Sequence, residues 1–161
     1  MTATDYAKTQ LHIRPPRAFV IAVAAQLPVL AITPPRFSAW GIASAASFAV
    51  VGSIMVVWAE RLFQSHDVGV CPFSDAPVLV RRGPYRVTRN PMYFGLVTMH
   101  LALILATGAL ANIWSSLAFA MWLHYEYVLP EEAFLRERFG NAFDAYTAEV
   151  PRWLGVPARL R

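Results

Sequence analysis

An all-α integral membrane chain of about four transmembrane helices is the fold class this sequence predicts, and three observations carry that prediction. Of its 161 residues, 57% are hydrophobic and 15% charged, on the apolar side of the range for soluble proteins. The charges are unevenly placed: the 23 residues between Arg36 and Glu60 carry none, and neither do the 36 between Arg89 and Glu126. A bilayer-spanning helix needs roughly 20 such residues. The basic residues, finally, fall almost entirely on one side of the spans those runs define.

The first span is expected at 18–33, after Arg14 and Arg17, with Pro34-Pro35 as its stop. A cleaved signal peptide is the alternative for this run. Against it, no Ala-x-Ala type site convincingly precedes the proline pair, and the next apolar segment follows almost at once. That segment, 37–59, is the second span. Gly41, Ala45, Ala49 and Gly52 line part of it and suit helix packing within or between chains. The 36-residue run is too long for one helix. Thr107-Gly108-Ala109-Leu110-Ala111-Asn112 interrupts it, so 92–107 and 110–128 read as a helical hairpin.

With these spans, both termini and the loop 60–91 share one face. Arg36 is the one basic residue of 14 that falls in a short turn on the other. The positive-inside rule makes the crowded face cytoplasmic, as in an inner or plasma membrane. The net charge of +4 is then a topology signal, with anionic lipid headgroups a secondary partner and no nucleic acid indicated. Cys71 is alone and no Cys/His cluster has metal spacing, so neither a disulfide nor a metal is expected. The chain reads as a single membrane domain, 1–161, with 1–63 forming the two N-terminal spans.

Chemistry is expected in the loop and the tail. The loop holds Pro72, Pro77, Pro84, Gly69 and Gly83, so it is irregular, and irregular backbone beside a bilayer needs partners for its amides and carbonyls. The densest stretch, Val78 to Gly95, combines a Gly-Pro turn, four arginines and two tyrosines, with Pro91 placed for a helix's first turn. Charge alone reads it as a basic juxtamembrane anchor. In the tail, Pro130-Glu131-Glu132 starts a helix with carboxylates suited to its dipole. Phe134, Leu135, Phe139, Phe143 and Tyr146 give it an apolar face, so an amphipathic helix is expected on the membrane or over the loop.

Taken together, these stretches resemble the catalytic region of the isoprenylcysteine carboxyl methyltransferase and phospholipid methyltransferase superfamily of membrane enzymes. The matching pieces are Leu79-Val80-x-x-Gly83-Pro84-Tyr85, Arg89-Asn90-Pro91-Met92-Tyr93-x-Gly95, the hairpin, Glu131-Glu132-x-x-Leu135, Phe139-Gly140, Tyr146 and Val150-Pro151-Arg152-Trp153-Leu154. They agree in order and spacing over roughly half the chain. The resemblance implies that 64–161 is a catalytic region whose cytoplasmic loop binds S-adenosylmethionine without a Rossmann domain. It further implies methyl transfer to a lipophilic small molecule or a lipid.

Carried over by position, the cofactor contacts would be Pro77, Val78, Leu79 and Val80, largely through backbone, then Tyr85, Asn90, Pro91, Met92, Tyr93 and Glu131, with Arg89 and Glu132 as neighbours. These residue types suit the ligand. Tyrosine faces stabilise a cation by roughly 0.5–2 kcal/mol, and a carboxylate accepts from an ammonium or a ribose hydroxyl.

The chain also departs from the pattern. Asn90 stands where the carboxyl methyltransferases usually have histidine, and asparagine cannot titrate near neutral pH, which rules out a base there. Tyr127 stands where they carry an arginine close to the acceptor, so a carboxylate acceptor would lack its counter-charge. His124 and Tyr127 are the catalytic candidates on the acceptor side, with Tyr125 and Glu126 nearby; His124 could take a proton from an amine or a thiol. His100, inside the third span, is either functional or a helix-to-helix hydrogen-bonding residue. A catalytically silent scaffold is the competing function, and a small transporter ranks last because charges are absent from the spans.

Overall fold

The computed structural model describes residues 15–64 and 79–155. Every regular element among them is helical: α1 (Pro15–Ala24), α2 (Leu27–Ile32), α3 (Ala39–Gln64), a 3-10 turn (Gly83–Arg86), α4 (Pro91–Thr107), a second 3-10 turn (Leu110–Asn112), α5 (Ile113–Leu123), a π-helical segment (His124–Val128), α6 (Leu129–Phe139) and α7 (Asn141–Glu149). Two helices are long and apolar enough to cross a membrane, Pro15–Ile32 taken through its bend and Ala39–Leu62; α4 is a shorter apolar helix. The expected span 110–128 is covered by the second 3-10 turn, α5 and the π segment.

The bend between α1 and α2 follows from Pro28, which has no N–H for the carbonyl of Ala24. The last turn of α1 tightens instead, with the Gln26 N–H on the Val23 carbonyl at 3.1 Å. α3 and α4 then run antiparallel at very close approach. A Cβ on Gly95 would lie 2.6 Å from the Gly52 carbonyl oxygen, one on Gly52 would lie 2.7 Å from that of Gly95, and one on Gly41 would meet the Leu105 carbonyl at 2.8 Å. The small residues of the second span therefore serve packing within the chain. Gly95→Val is expected to force these backbones apart and cost about 1–3 kcal/mol, read as a lowered unfolding midpoint in detergent. An unchanged midpoint would mean the contact contributes little.

At one end the two short turns meet, with the Arg36 N–H on the Thr107 carbonyl at 2.8 Å and Gly108 closing α4 at φ +64°. Between the ends the usual polarity is inverted. Trp40 is 86% exposed and Trp114 72%, whereas His100 is fully buried. The His100 ring lies 2.8 Å from Gln26 Nε2 through Nε2 and 2.7 Å from Ser116 Oγ through Nδ1, with the Ala22 carbonyl at 3.2 Å. It therefore joins the α1–α2 bend, α4 and α5, a helix-to-helix role. Large apolar side chains outside and a buried, hydrogen-bonded histidine inside are what a lipid solvent favours.

The tail corrects one expectation. Pro130 does not start a helix; it sits inside a continuous helical run from Ile113 to Phe139. The Leu129 N–H reaches the His124 carbonyl, one residue further back than α register, and this π turn accommodates a proline that cannot donate. The expected amphipathic helix is two helices, α6 and α7, bent at Gly140 (φ +49°). Phe143, Tyr146 and Val150 bury against Leu79, Leu135 and Phe139, so the apolar face closes over the loop.

Candidate active site

Polar side chains converge where the N-terminus of α4, the first turn of α6, segment 79–90 and segment 150–153 meet. The sequence brings them there by backbone pairing. The Arg89 N–H donates to the Pro151 carbonyl at 3.0 Å, while Thr88 Oγ1 and Asn90 Nδ2 both donate to the Arg152 carbonyl, at 2.9 and 2.8 Å. Asn90 thus occupies the N-cap position of α4 without capping it; its amide holds the tail.

The tail in turn delivers Arg152. Its Nε and Nη2 donate to the two oxygens of Glu132 at 2.9 and 2.7 Å, and Arg89 Nη1 approaches the same carboxylate at 3.3 Å. Glu132 is buried, Arg89 nearly so, and Arg152 about a third exposed. Burial accordingly pulls the Arg89 guanidinium below its ordinary value, partly offset by Glu132, whereas the hydrogen bonds to Glu132 hold Arg152 above its own. Arg89 Nε is buried with no partner among the described residues.

One residue earlier, Glu131 meets a different environment. It accepts a hydrogen bond from the Tyr93 hydroxyl and has no cationic partner among the described residues. Burial lifts its carboxyl to about 7; the Tyr93 hydrogen bond pulls the other way and the Glu132 charge adds to the rise. Tyr93 packs its ring on Tyr127, centroids 5.8 Å apart. Both belong to an apolar cluster with Ala18 and Ala22 of α1 and Phe119, Leu123 and Val128, so the N-terminal helix forms one wall of the site.

Tyr85 is buried against Ala59, Val80, Leu62 and Met92. Burial, with a smaller contribution from Glu131, pushes its phenol well above the ordinary range, so it stays neutral. Its carbonyl accepts from the Tyr146 hydroxyl at 2.7 Å, and Arg81 lies over the Tyr146 ring at 5.5 Å. His124, in the π segment, accepts at Nδ1 from the Trp153 indole N–H at 3.4 Å, which leaves the ring proton on Nε2. Taking an acceptor's proton at Nδ1 would require the indole to move away.

Arg89, Asn90, Met92, Tyr93, Tyr127, Glu131 and Glu132 thus lie together with Tyr85 and Val80, and His124 joins them through Trp153. Pro91 is fully buried, and Leu79 packs on the tail. Pro77 and Val78 lie outside the described residues, as does Cys71. Sequence reasoning had assigned no role to Arg152, Trp153 or Thr88. Arg152 and Trp153 stood within the matched Val150–Leu154 segment; nothing in the local sequence signalled Thr88. Among the described residues no group of His, Cys, Asp and Glu could hold a metal ion.

Residues 40–142 match the phospholipid methyltransferase family. This chain belongs to that family. The match spans α3, α4, both glutamates and the start of α7, and so contains most of the polar cluster. Two rice proteins, each described as a probable protein-S-isoprenylcysteine O-methyltransferase, from Oryza sativa subsp. indica and subsp. japonica, are 34% identical over 107 residues, covering 63% of this chain. The chain spans about half the length of these curated relatives, 52% of each. No solved structure matches.

Proposed function

We propose that the protein is an integral membrane methyltransferase that uses S-adenosylmethionine at the cytoplasmic face and methylates a lipophilic or membrane-resident acceptor. The observation that carries this reading is Glu131. A carboxylate in a largely desolvated position, with a tyrosine hydroxyl as its only hydrogen-bond partner among the described residues, lacks among them the cation that would compensate its charge. On the neighbouring Glu132, Arg89 presents a buried Nε donor that has no acceptor among the described residues. An amino acid group carrying both an ammonium and a carboxylate complements the two, so the residues present fit S-adenosylmethionine.

When bound, that cofactor supplies a methyl group on a sulfonium leaving group. The chain's own residues have the remaining work. Glu131 accepts from the ammonium or a ribose hydroxyl, Arg89 donates to a carboxylate, and the Tyr85 and Tyr93 faces favour a cation over a neutral group. The backbone of 79–80 contributes donors and acceptors. Glu132 and Arg152 hold Arg89 and the tail in place. The apolar cluster around Tyr93 and Tyr127 excludes water, which favours a displacement that depends on positioning. His124 and Tyr127 face the acceptor side.

On this reading four spans cross the bilayer, both termini are cytoplasmic, 1–63 anchors and walls the site, and 64–161 carries the chemistry. Calorimetric titration of the detergent-purified protein with S-adenosylhomocysteine tests it. Micromolar binding is expected; no binding by a folded sample would favour a silent scaffold that keeps the family fold.

A further inference from the structure

The four arginines of the 78–95 stretch divide into two kinds. Arg81 and Arg89 are engaged by carboxylates, Glu149 at 3.0 Å and Glu132 at 3.3 Å. Arg82 and Arg86 are exposed, and among the described residues neither has a carboxylate partner. The same holds for Arg61, in the last turn of α3. The adjacent Glu60 accepts instead from Gln64, at 3.5 Å.

These three guanidiniums stand on fixed backbone. Gly83 adopts φ +58°, and a Cβ there would lie 2.9 Å from Leu62 Cδ1 and 3.0 Å from the Trp58 indole. The 3-10 turn is therefore pressed onto the end of α3, with Arg82 just before it and Arg86 at its close. Arg61 lies one helical turn from Trp58, on the same face.

Directly beneath this basic cluster runs an apolar track. Trp58, Ile54 and Val51 follow at i, i−4 and i−7 along α3, on one face, and are 48%, 52% and 45% exposed. Val87, next to Arg86, is also exposed. A cationic cluster above an aliphatic stripe is the complement of an amphiphile with an anionic head and an acyl tail. Guanidinium groups match phosphate oxygens in geometry as well as charge.

We propose that the cytoplasmic end of α3 and residues 82–87 form a binding site for an anionic phospholipid. Its phosphate sits among Arg61, Arg82 and Arg86, and an acyl chain lies along Trp58, Ile54 and Val51. The inference rests on the membrane placement in the functional reading and is independent of methyl transfer. The lipid is distinct from the methyl acceptor: Arg61, Arg82 and Arg86 are exposed, whereas Glu131 lies inside against the buried Tyr93.

The test is retention of dioleoylphosphatidylglycerol against dioleoylphosphatidylcholine by the full chain in mixed micelles, followed by native mass spectrometry. The wild-type protein is expected to retain the anionic lipid preferentially. R61Q/R82Q/R86Q is expected to lose that preference by at least about tenfold, while R17Q/R138Q, which removes charge elsewhere on the same side, keeps it. Binding of S-adenosylhomocysteine, measured in parallel, is expected to be the same in both variants as in the wild type, so a failure of the methyltransferase reading registers separately. Equal retention of the two lipids by the wild type would overturn the site. So would a preference that survives the triple substitution, or one that falls equally in R17Q/R138Q, which would indicate diffuse surface charge only. Should the triple variant fail to fold, R86Q alone is expected to lower retention about fivefold, and unchanged retention would overturn the proposal.

Discussion

Glu131→Gln is expected to weaken binding of S-adenosylhomocysteine by thirtyfold to a hundredfold, corresponding to roughly 2–3 kcal/mol for a charge-assisted hydrogen bond. The protein should stay folded, because burial already disfavours the ionised carboxylate in the apoprotein and the amide oxygen of glutamine can still accept from the Tyr93 hydroxyl. The pH dependence makes the test sharper. Burial raises the carboxyl from 4.5 to about 7, so the folded apoprotein favours the protonated form. A group raised in this way contributes stability that is fully present below its unfolded value and is lost as pH rises through 7. The wild-type apoprotein should therefore lose stability between about pH 4.5 and 7, and Glu131→Gln should remove that loss. Ligand binding should run the opposite way, since the ammonium needs the ionised carboxylate: affinity should fall below pH 7 in the wild type and stay flat in the variant. Unchanged affinity in Glu131→Gln would remove Glu131 from the site.

The contrast between Glu131 and its neighbour shows where the sequence was readable. The long apolar helices were legible because lipid tolerates few charges, so the uncharged run from Arg36 to Glu60 marks α3 directly, and Gly108 marks the end of α4. That Arg89, Tyr93, Glu131 and Glu132 belong together was legible only through the family resemblance of the motifs that hold them; charge alone reads the first as part of a membrane anchor and the glutamates as a helix start. Less visible were features made by distant backbone. The pairing of Arg89 with Pro151 and the two bonds to the Arg152 carbonyl join residues some 60 positions apart, and no local pattern announces them. Pro130 was misread for a related reason. A proline after an apolar run signals a helix start in isolation, but here tertiary packing continues the helix and a π turn absorbs the missing donor. Gln26 likewise gained its meaning only from His100, across three helices.

Glu132→Ala is expected to have the largest effect on stability, about 3 kcal/mol, because it removes the one carboxylate shared by Arg89 and Arg152. Arg89 would remain buried with a charge no longer compensated, and its Nε already lacks a partner. Arg152, about a third exposed, can turn toward water, so Arg152→Ala should cost about 1–2 kcal/mol. A double-mutant cycle on the pair should then be markedly non-additive. The tail itself has other anchors, since Thr88 and Asn90 hold the Arg152 backbone rather than its side chain. Glu132→Ala should therefore lower the unfolding midpoint in detergent far more than it exposes 150–153 to protease. Asn90→Ala should do the reverse. The two neighbouring glutamates thus have opposite expectations: substitution of Glu131 removes ligand affinity and leaves the apoprotein as stable or more so, whereas substitution of Glu132 destabilises the fold before any ligand is considered. If both variants lowered the midpoint equally, Glu131 would be another structural carboxylate, and the argument for a cation-binding site would lose its support.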